Sequence, residues 1–567
     1  MSRAPGQAVL GIWDGHDASV ALIADGRLTF ALSEERISRR KRHPGFPHLA
    51  LGKALRWAER QGLTIGDVAV AGRHGRAPLR LLEPAYSRSG PSRDPLAPAG
   101  RLVQAWENRV AGLAGLRELE RIAGLLAVRG RLAGQVLGRA RVHTVPHHEA
   151  HAFSALLLAS SPDDRVVTWD AYGEGLAATV RRAGSPRRVE AALAPAAGLA
   201  SLYGAITVAL GFDEGDEGKL MALAALGDPS RGEARLAGLF VLTAGAPLLR
   251  RPLRHRTVHT LLQGLSREDA AAALQALVER LARGWIAGLL PREGRCDLLL
   301  AGGLFANTRL NQALAALDRV GGVRVFPAMT DGGLSAGAAH SVWHELHGEP
   351  AASPGLPLLG CEFDRESCER ALAAAGLGHG RAADPARGMA RRIAAGQVVC
   401  RFSGRDEFGP RALGQRSILF SARDRALAQR VNAALGRDAF MPFGPAVAAE
   451  AAEAPLWEPL PENTDLGTMT VAVQAAPALS EQCPAAVHAD GSSRPQEVSA
   501  AEAPGFHSVL RWVEHLGHGP ALINTSFNRH GEPIVHTPAD AIQTFLDTGF
   551  DALYLGDLEV ARNDALA

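Results

Sequence analysis

Residues 8–38, "AVLGIWDGHDASVALIADGRLTFALSEERIS", decide the fold. Apolar runs are cut by a polar loop, Asp14–Gly15–His16–Asp17, and by a tight turn at Ala24–Asp25–Gly26. The pattern reads strand, loop, strand, turn, strand. Residues 164–194, "DRVVTWDAYGEGLAATVRRAGSPRRVEAALA", repeat it more weakly, and Trp13–Asp14 returns as Trp169–Asp170. A duplicated β-hairpin subdomain follows.

Two such halves facing a nucleotide cleft are the plan of the sugar-kinase, heat-shock ATPase and actin superfamily. There, acidic, Gly-rich hairpin loops approach phosphates and a metal. The expected fold class is therefore α/β, with a duplicated actin/sugar-kinase-like domain over 1–347. Residues 76–142, rich in Leu, Ala and Arg, read as a helical insertion whose arginines face solvent. "CDLLLAGGLFANTRLNQAL" (296–314) and "VRVFPAMTDGGLSAGAAHSVWHEL" (323–346) each read as buried strand, Gly turn, then helix. Such turns bring backbone N–H groups close to an anion. They nominate Gly302, Gly303, Asn307, Asn311, Gly332 and Gly333 for nucleotide binding. "HGEPAASPGLPLLGCEF" (347–363) is Pro/Gly-rich and marks a linker region over 348–379. A second α/β domain is expected over 380–567.

At 567 residues the chain suggests roughly two to four domains. Its 47% hydrophobic and 21% charged residues are those of a soluble globular protein. A net charge of +2 gives no pull toward nucleic acid or an anionic membrane. The five cysteines form no C-x-x-C pair, and neither a secretion signal nor a membrane span is read. A cytoplasmic protein with reduced thiols is expected. Only Lys41, Lys53 and Lys219 are lysine among 61 basic residues. Lys41 and Lys219 stand in motif-like surroundings as point charges for phosphate. Lys219 has an alternative use in pairing with Asp216 or Glu217. Arg36, Arg40 and Lys41 in "EERISRRKRH" face either phosphate or solvent.

His147 and His151 in "VPHHEAHAFSALLLA" (145–159) are four apart, so a helix puts both imidazoles on one face. Two neutral nitrogens there can reach one cation, with carboxylates supplied from elsewhere. In the second domain Arg405, Arg411 and Arg416 flank Glu407 within twelve residues. Guanidinium forks suit phosphate groups. The structural alternative pairs all three with Glu407, Asp406 and backbone carbonyls. Asn432 and Arg437 extend this group, and a closing strand delivers Asn524, Thr525, Ser526 and Asn528.

Nine stretches occur in one order: "GIWDGHDAS", "SEERISRRKRHPGFP", "HHEAHAFSA", "DEGDEGKLMALAALGDP", "AGGLFANTRLN", "DGGLSAGAA", "GRDEFGPRALGQRSIL", "VNAALGRDAFMPFGPAV" and "PALINTSFN". Together they resemble the O-carbamoyltransferases of the nodulation-factor and antibiotic-tailoring family. The resemblance implies an N-terminal domain like the tRNA threonylcarbamoyl-transfer protein and a C-terminal domain like threonylcarbamoyl-adenylate synthases. It implies a metal held by His147, His151, Asp170 and Asp331, with iron indicated and zinc or manganese as alternatives. It makes His16 the general base, and Asp14 beside it serves either to orient that ring or to bind water or metal. The expected reaction activates carbamoyl phosphate with ATP and Mg²⁺ to carbamoyl-adenylate, then carbamoylates a hydroxyl of a small-molecule acceptor. Ala171 and Gly436 depart from the pattern, standing where glycine and lysine are usual. A kinase-like ATPase, or a tRNA-modification partner, uses the N-terminal cleft alone and leaves the second domain's motifs idle.

Overall fold

The computed structural model describes residues 6–72, 114–133, 137–195, 198–243, 245–251, 253, 255–353, 355–450 and 455–562. Strand Gln7–Trp13 pairs antiparallel with Ser19–Ala24, which pairs antiparallel with Arg27–Ser33. Thr64–Ala71 and then Arg141–Val145 join on the other side in parallel. In the second half, Arg165–Gly173, Leu176–Arg182 and Ser185–Leu193 form the antiparallel set. Cys296–Ala301 and Val320–Val325 join it in parallel. The two five-stranded sheets therefore match strand for strand, and the actin/sugar-kinase-like duplication is present. Asp25 and Gly26, both at positive φ, make the tight turn in the first half.

Helix Leu334–His347 leaves the second half and seats against the first. A Cβ on Gly11 would lie 1.8 Å from the Ser335 carbonyl oxygen, and one on Gly337 1.7 Å from that of Ala150. Only glycine lets this helix settle onto strand Gln7–Trp13 and helix His147–Leu156. That approach carries Asp331, just ahead of the helix, over His147 and His151.

Two expected stretches differ. Residues 114–133 of the insertion are helical, but Arg141–Val145 at its end is the edge strand of the first sheet. Residues 76–113 of that insertion lie outside the described residues. The 348–379 region is built into the fold and is no free linker. Its Ala352 N–H donates to the Gly26 carbonyl, the Ala31 N–H donates to Leu359, and helix Arg365–Ala374 buries Cys368 and Leu372 in the C-terminal core. The apolar residues spaced between its prolines and glycines, Ala351, Leu356 and Leu359, are buried.

The C-terminal part is an eight-stranded mixed sheet. Val399–Phe402, Arg416–Ser421, Ala521–Ser526 and Gly444–Ala448 lie side by side within it. Loop 403–415 joins the first two of these strands. Arg36 anchors this loop to the N-terminal part by donating to the carbonyls of Glu407 and Gly409. No helix among the described residues is long and apolar enough to cross a membrane.

Candidate active site: a metal centre and an arginine cluster

His147 and His151 occupy the first two turns of helix His147–Leu156, and both are buried. His151 Nε2 lies 3.1 Å from Asp170 Oδ2 and 3.4 Å from Asp331 Oδ1. His147 Nε2 lies 3.5 and 3.6 Å from the same two oxygens. All four donor atoms fall within 4.8 Å of one another. Neighbouring ligands around one ion bonded at roughly 2.0–2.1 Å are about 3–3.5 Å apart, so the spacing suits a shared cation. His147 Nε2 is buried without a hydrogen-bond partner, although it faces two carboxylates. A Cβ on Gly173 would meet His147 Cδ2 at 2.2 Å, so this glycine makes room for the ring. The Ala171 N–H donates to Asp170 Oδ1 at 2.7 Å, which turns the other oxygen inward. The donor set fits a divalent metal. Burial opposes a charge on His151, but Asp170 and Asp331 outweigh it and push that ring up to about 9. His148, on the other face, has its Nδ1 2.8 Å from Thr168 Oγ1 and packs as core.

Asp331 works on two sides. Its Oδ1 faces the histidine pair, while Oδ2 lies 3.2 Å from His16 Nε2. His16 Nδ1 lies 3.3 Å from Asp17 Oδ2. A carboxylate of Asp17, at φ 58, thus meets the ring, while Asp14, the expected orienting residue, is buried. Desolvation in the cleft opposes the proton on His16, yet Asp331 and then Asp17 push it up to about 9. The ring is 53% exposed, which weakens the desolvation penalty further. A neutral His16 requires that Asp331 be otherwise engaged.

Around this centre the nucleotide candidates divide. Gly303 abuts Asp170, with a Cβ there 3.1 Å from Oδ1, and Gly302 at φ 111 passes against the Trp169 backbone. Gly332 and Gly333 form the turn after Asp331. Asn307 and Asn311 do not line the cleft as expected. Asn307 caps helix Thr308–Ala315 and bonds Gln275, while fully buried Asn311 donates to the carbonyls of Phe305 and Thr470. Lys41 is exposed. Lys219 Nζ sits 2.9 Å from Asp216, the alternative weighed above, and also 3.4 Å from Asp438 and 3.2 Å from His530 Nε2. It thus bridges the acidic loop of the N-terminal part to the C-terminal part. Arg42 was not singled out, but it reaches the same loop through the Glu214 carbonyl.

The three arginines expected on carbamoyl phosphate separate as well. Arg416 is fully buried, pairs with Asp406 at 2.7 Å and donates to the carbonyls of Ser403 and Gly404. Arg405 donates to the carbonyls of Gly360 and Thr29. Protein partners claim both, carbonyls of other segments for Arg405 and Asp406 with carbonyls of its own loop for Arg416. Glu407 Oε1 accepts the N–H groups of Leu413, Gln415 and Arg416 and shapes the loop. Arg411 alone is left: its buried Nε has no protein partner, and burial lowers its pKa to about 10. Arg437 is lowered to about 10 by burial and by Arg411, and its Nη1 donates to Thr525 Oγ1 at 3.3 Å. Arg494, which sequence reading missed, is lowered well below its usual value by burial, Arg411 and Arg437. Three desolvated guanidinium groups repel one another here. Asn432, Asn524 and Asn528 each leave a buried Oδ1 without a partner. Their NH₂ groups are spent on protein atoms, Asn524's on Ala412 and Gln496. No side-chain hydrogen bond of half-buried Ser526 places it on a ligand. Arg416→Ala is expected to cost about 3–5 kcal/mol of stability by stranding Asp406, measured as a lower urea midpoint. Unchanged unfolding would return Arg416 to the ligand site.

The chain belongs to the carbamoyltransferase family. Residues 8–340 match the family model described as Carbamoyltransferase N-terminus, and residues 390–562 the one described as Carbamoyltransferase C-terminus. The chain is 32% identical to Nodulation protein NolO of Bradyrhizobium diazoefficiens over 436 residues, 74% of this chain and 79% of that protein. It is 29% identical to Nodulation protein NolNO of Sinorhizobium fredii, covering 97% and 79%. It is 27% identical to a 3'-hydroxymethylcephem-O-carbamoyltransferase of Streptomyces clavuligerus, covering 93% and 94%. The protein is accordingly an enzyme of the carbamoyltransferase class.

Proposed function

We propose that this enzyme activates carbamoyl phosphate with ATP and Mg²⁺ in its C-terminal domain and carbamoylates a small-molecule hydroxyl in its N-terminal cleft. The domains meant are those over 1–347 and 380–567, joined by the built-in 348–379 region, in a cytoplasmic protein. The observation that carries this reading is the division of unpaired chemistry. Uncompensated cations gather at Arg411, Arg437 and Arg494, while anionic donors converge at Asp170 and Asp331. The first site suits phosphate, and the free amide oxygens of Asn432, Asn524 and Asn528 suit the NH₂ of a carbamoyl group.

Balance requires one water. Carbamoyl phosphate yields carbamate and inorganic phosphate, and a carbamate oxygen then displaces pyrophosphate from ATP to give carbamoyl-adenylate. In the N-terminal cleft the acceptor oxygen attacks the carbonyl carbon, AMP leaves, and the hydroxyl proton passes to His16 Nε2. Asp17 holds the opposite nitrogen of that ring. His147, His151, Asp170 and Asp331 would hold the cation, ferrous iron by preference with zinc or manganese as alternatives; it would supply positive charge to phosphate or carbonyl oxygen. Gly303 and Gly332 offer backbone N–H groups to the nucleotide, whereas those of Gly302 and Gly333 are donated to the carbonyls of Met329 and Thr330 and shape the turns. Lys219 bridges the two parts where the intermediate must pass.

The test is to mix protein, carbamoyl phosphate, ATP and Mg²⁺ without acceptor and follow pyrophosphate. Release is expected, and none from metal-loaded protein rejects the scheme. His16→Asn should spare that release and slow transfer to a hydroxymethyl cephem by about 10²–10⁴-fold. Loss of both steps would refute the division of labour.

A further inference from the structure

Ser19 closes the hairpin loop that carries His16. It pairs in register with Trp13, whose indole N–H donates to the His16 carbonyl at 2.6 Å. Its side chain is fully buried and leaves its own hairpin for the other half of the molecule. Ser19 Oγ lies 2.8 Å from the carbonyl oxygen of Gly332 and 2.7 Å from Ser335 Oγ. A hydroxyl has one proton and a carbonyl only accepts. Ser19 therefore shares its proton between the two acceptors it reaches, the Gly332 carbonyl and Ser335 Oγ. Gly332 directly follows Asp331, and Ser335 stands in the first turn of the helix behind it.

From these contacts we infer that Ser19 is a positioning residue for Asp331, the carboxylate shared by the histidine pair and His16. The inference rests on the reading of Asp331 as a metal ligand. Asp331 sits on a short turn whose glycines have no side chains to brace it. Among the contacts that brace the turn from the first half, the Ser19 hydroxyl reaches the carbonyl of Gly332, the residue that follows the ligand. Strand Ser19–Ala24 is rigid and buried throughout, so it gives the turn a fixed reference. Losing this hydrogen bond leaves Asp331 in place but loosens the aim of Oδ1 at the two imidazoles and of Oδ2 at His16. Partners of metal ligands typically change affinity 10–100-fold when removed.

The experiment titrates the metal-free full-length protein with Co²⁺ alone, read by its visible absorption and by calorimetry. Ser19→Ala is expected to bind Co²⁺ about 10–100-fold more weakly. Ser19→Thr, which keeps the hydroxyl, should stay within about threefold of wild type. The metal-free melting temperature, measured on the same samples, separates a general loss of stability from a loss of affinity. Wild-type affinity in Ser19→Ala, or equal weakening in Ser19→Thr, overturns the inference. If Ser19→Ala does not fold, Ser19→Val set against Ser19→Thr carries the test at matched shape: weaker Co²⁺ binding in Ser19→Val alone supports the inference and equal binding in the two overturns it. Wild-type protein that ignores Co²⁺, or Asp331→Asn that binds it as tightly as wild type, instead brings down the metal reading itself and the inference with it.

Discussion

Asp331→Asn is expected to lower affinity for a divalent cation by at least about 100-fold and to abolish acceptor-dependent AMP release, while pyrophosphate release continues. Loss of a bracing partner alone costs 10–100-fold, so loss of a ligating oxygen and its charge must cost more. In this cleft the loss counts twice. One oxygen of Asp331 completes the set with His147, His151 and Asp170, and the other meets His16. With the carboxylate neutralised, His151 loses one of the two charges that raise its pKa and His16 loses the larger of its two supports. The asparagine is nearly isosteric, so the fold should survive and the effect is chemical. Metal content after gel filtration and the two product assays measure it. Retained metal, or pyrophosphate release that falls in step with transfer, would contradict the assignment.

The duplicated hairpin was legible because a strand pair repeats with period two and its turns are written in Asp and Gly. Trp13–Asp14 and Trp169–Asp170 carried the repeat into the cleft. The histidine pair was legible for an equally local reason, since residues four apart on a helix share a face. Asp170 and Asp331 came from resemblance, and their convergence depends on Gly11 and Gly337 admitting one helix against its neighbours.

Reading failed where a residue's partner lies far along the chain. Arg405, Arg411 and Arg416 look alike in "GRDEFGPRALGQR", yet carbonyls of Thr29 and Gly360 claim the first and Asp406 the last. Asp406 lies within the motif, but no spacing there encodes which arginine it takes, and the partners of Arg405 lie outside it. Arg494 stands in "GSSRPQ", which carries no signal, and becomes visible only through the two other arginines that face it. Asn307 and Asn311 follow a Gly turn as expected, but Gln275 takes the first, and the second donates to Phe305 and Thr470 while its Oδ1 is left without a partner. Asp14 lies two residues before His16 and Asp17 adjoins it; the left-handed backbone at Asp17 accompanies the contact of its carboxylate with the ring.

Arg494→Met is expected to raise stability by on the order of 1–3 kcal/mol while cutting pyrophosphate release roughly 10–100-fold. A desolvated charge without a counter-charge destabilises the fold that holds it, and an apolar side chain of similar length removes that cost. Arg411→Met should behave alike, because burial is the cause of its depressed pKa and no carboxylate offsets it. A charge-assisted bond to phosphate contributes about 1.5–3 kcal/mol, so each lost guanidinium weakens carbamoyl phosphate use by one to two orders of magnitude. The two signs together discriminate between roles. Arg416→Ala lowers stability because it strands Asp406, whereas Arg494→Met raises it because it relieves mutual repulsion with Arg411 and Arg437. Inorganic phosphate should stabilise wild type against urea and do so less for Arg494→Met, since an anion that binds only the folded state shifts the equilibrium toward it. A variant that is less stable and still releases pyrophosphate would mean that the cluster is paired by the protein and that the phosphate site lies elsewhere.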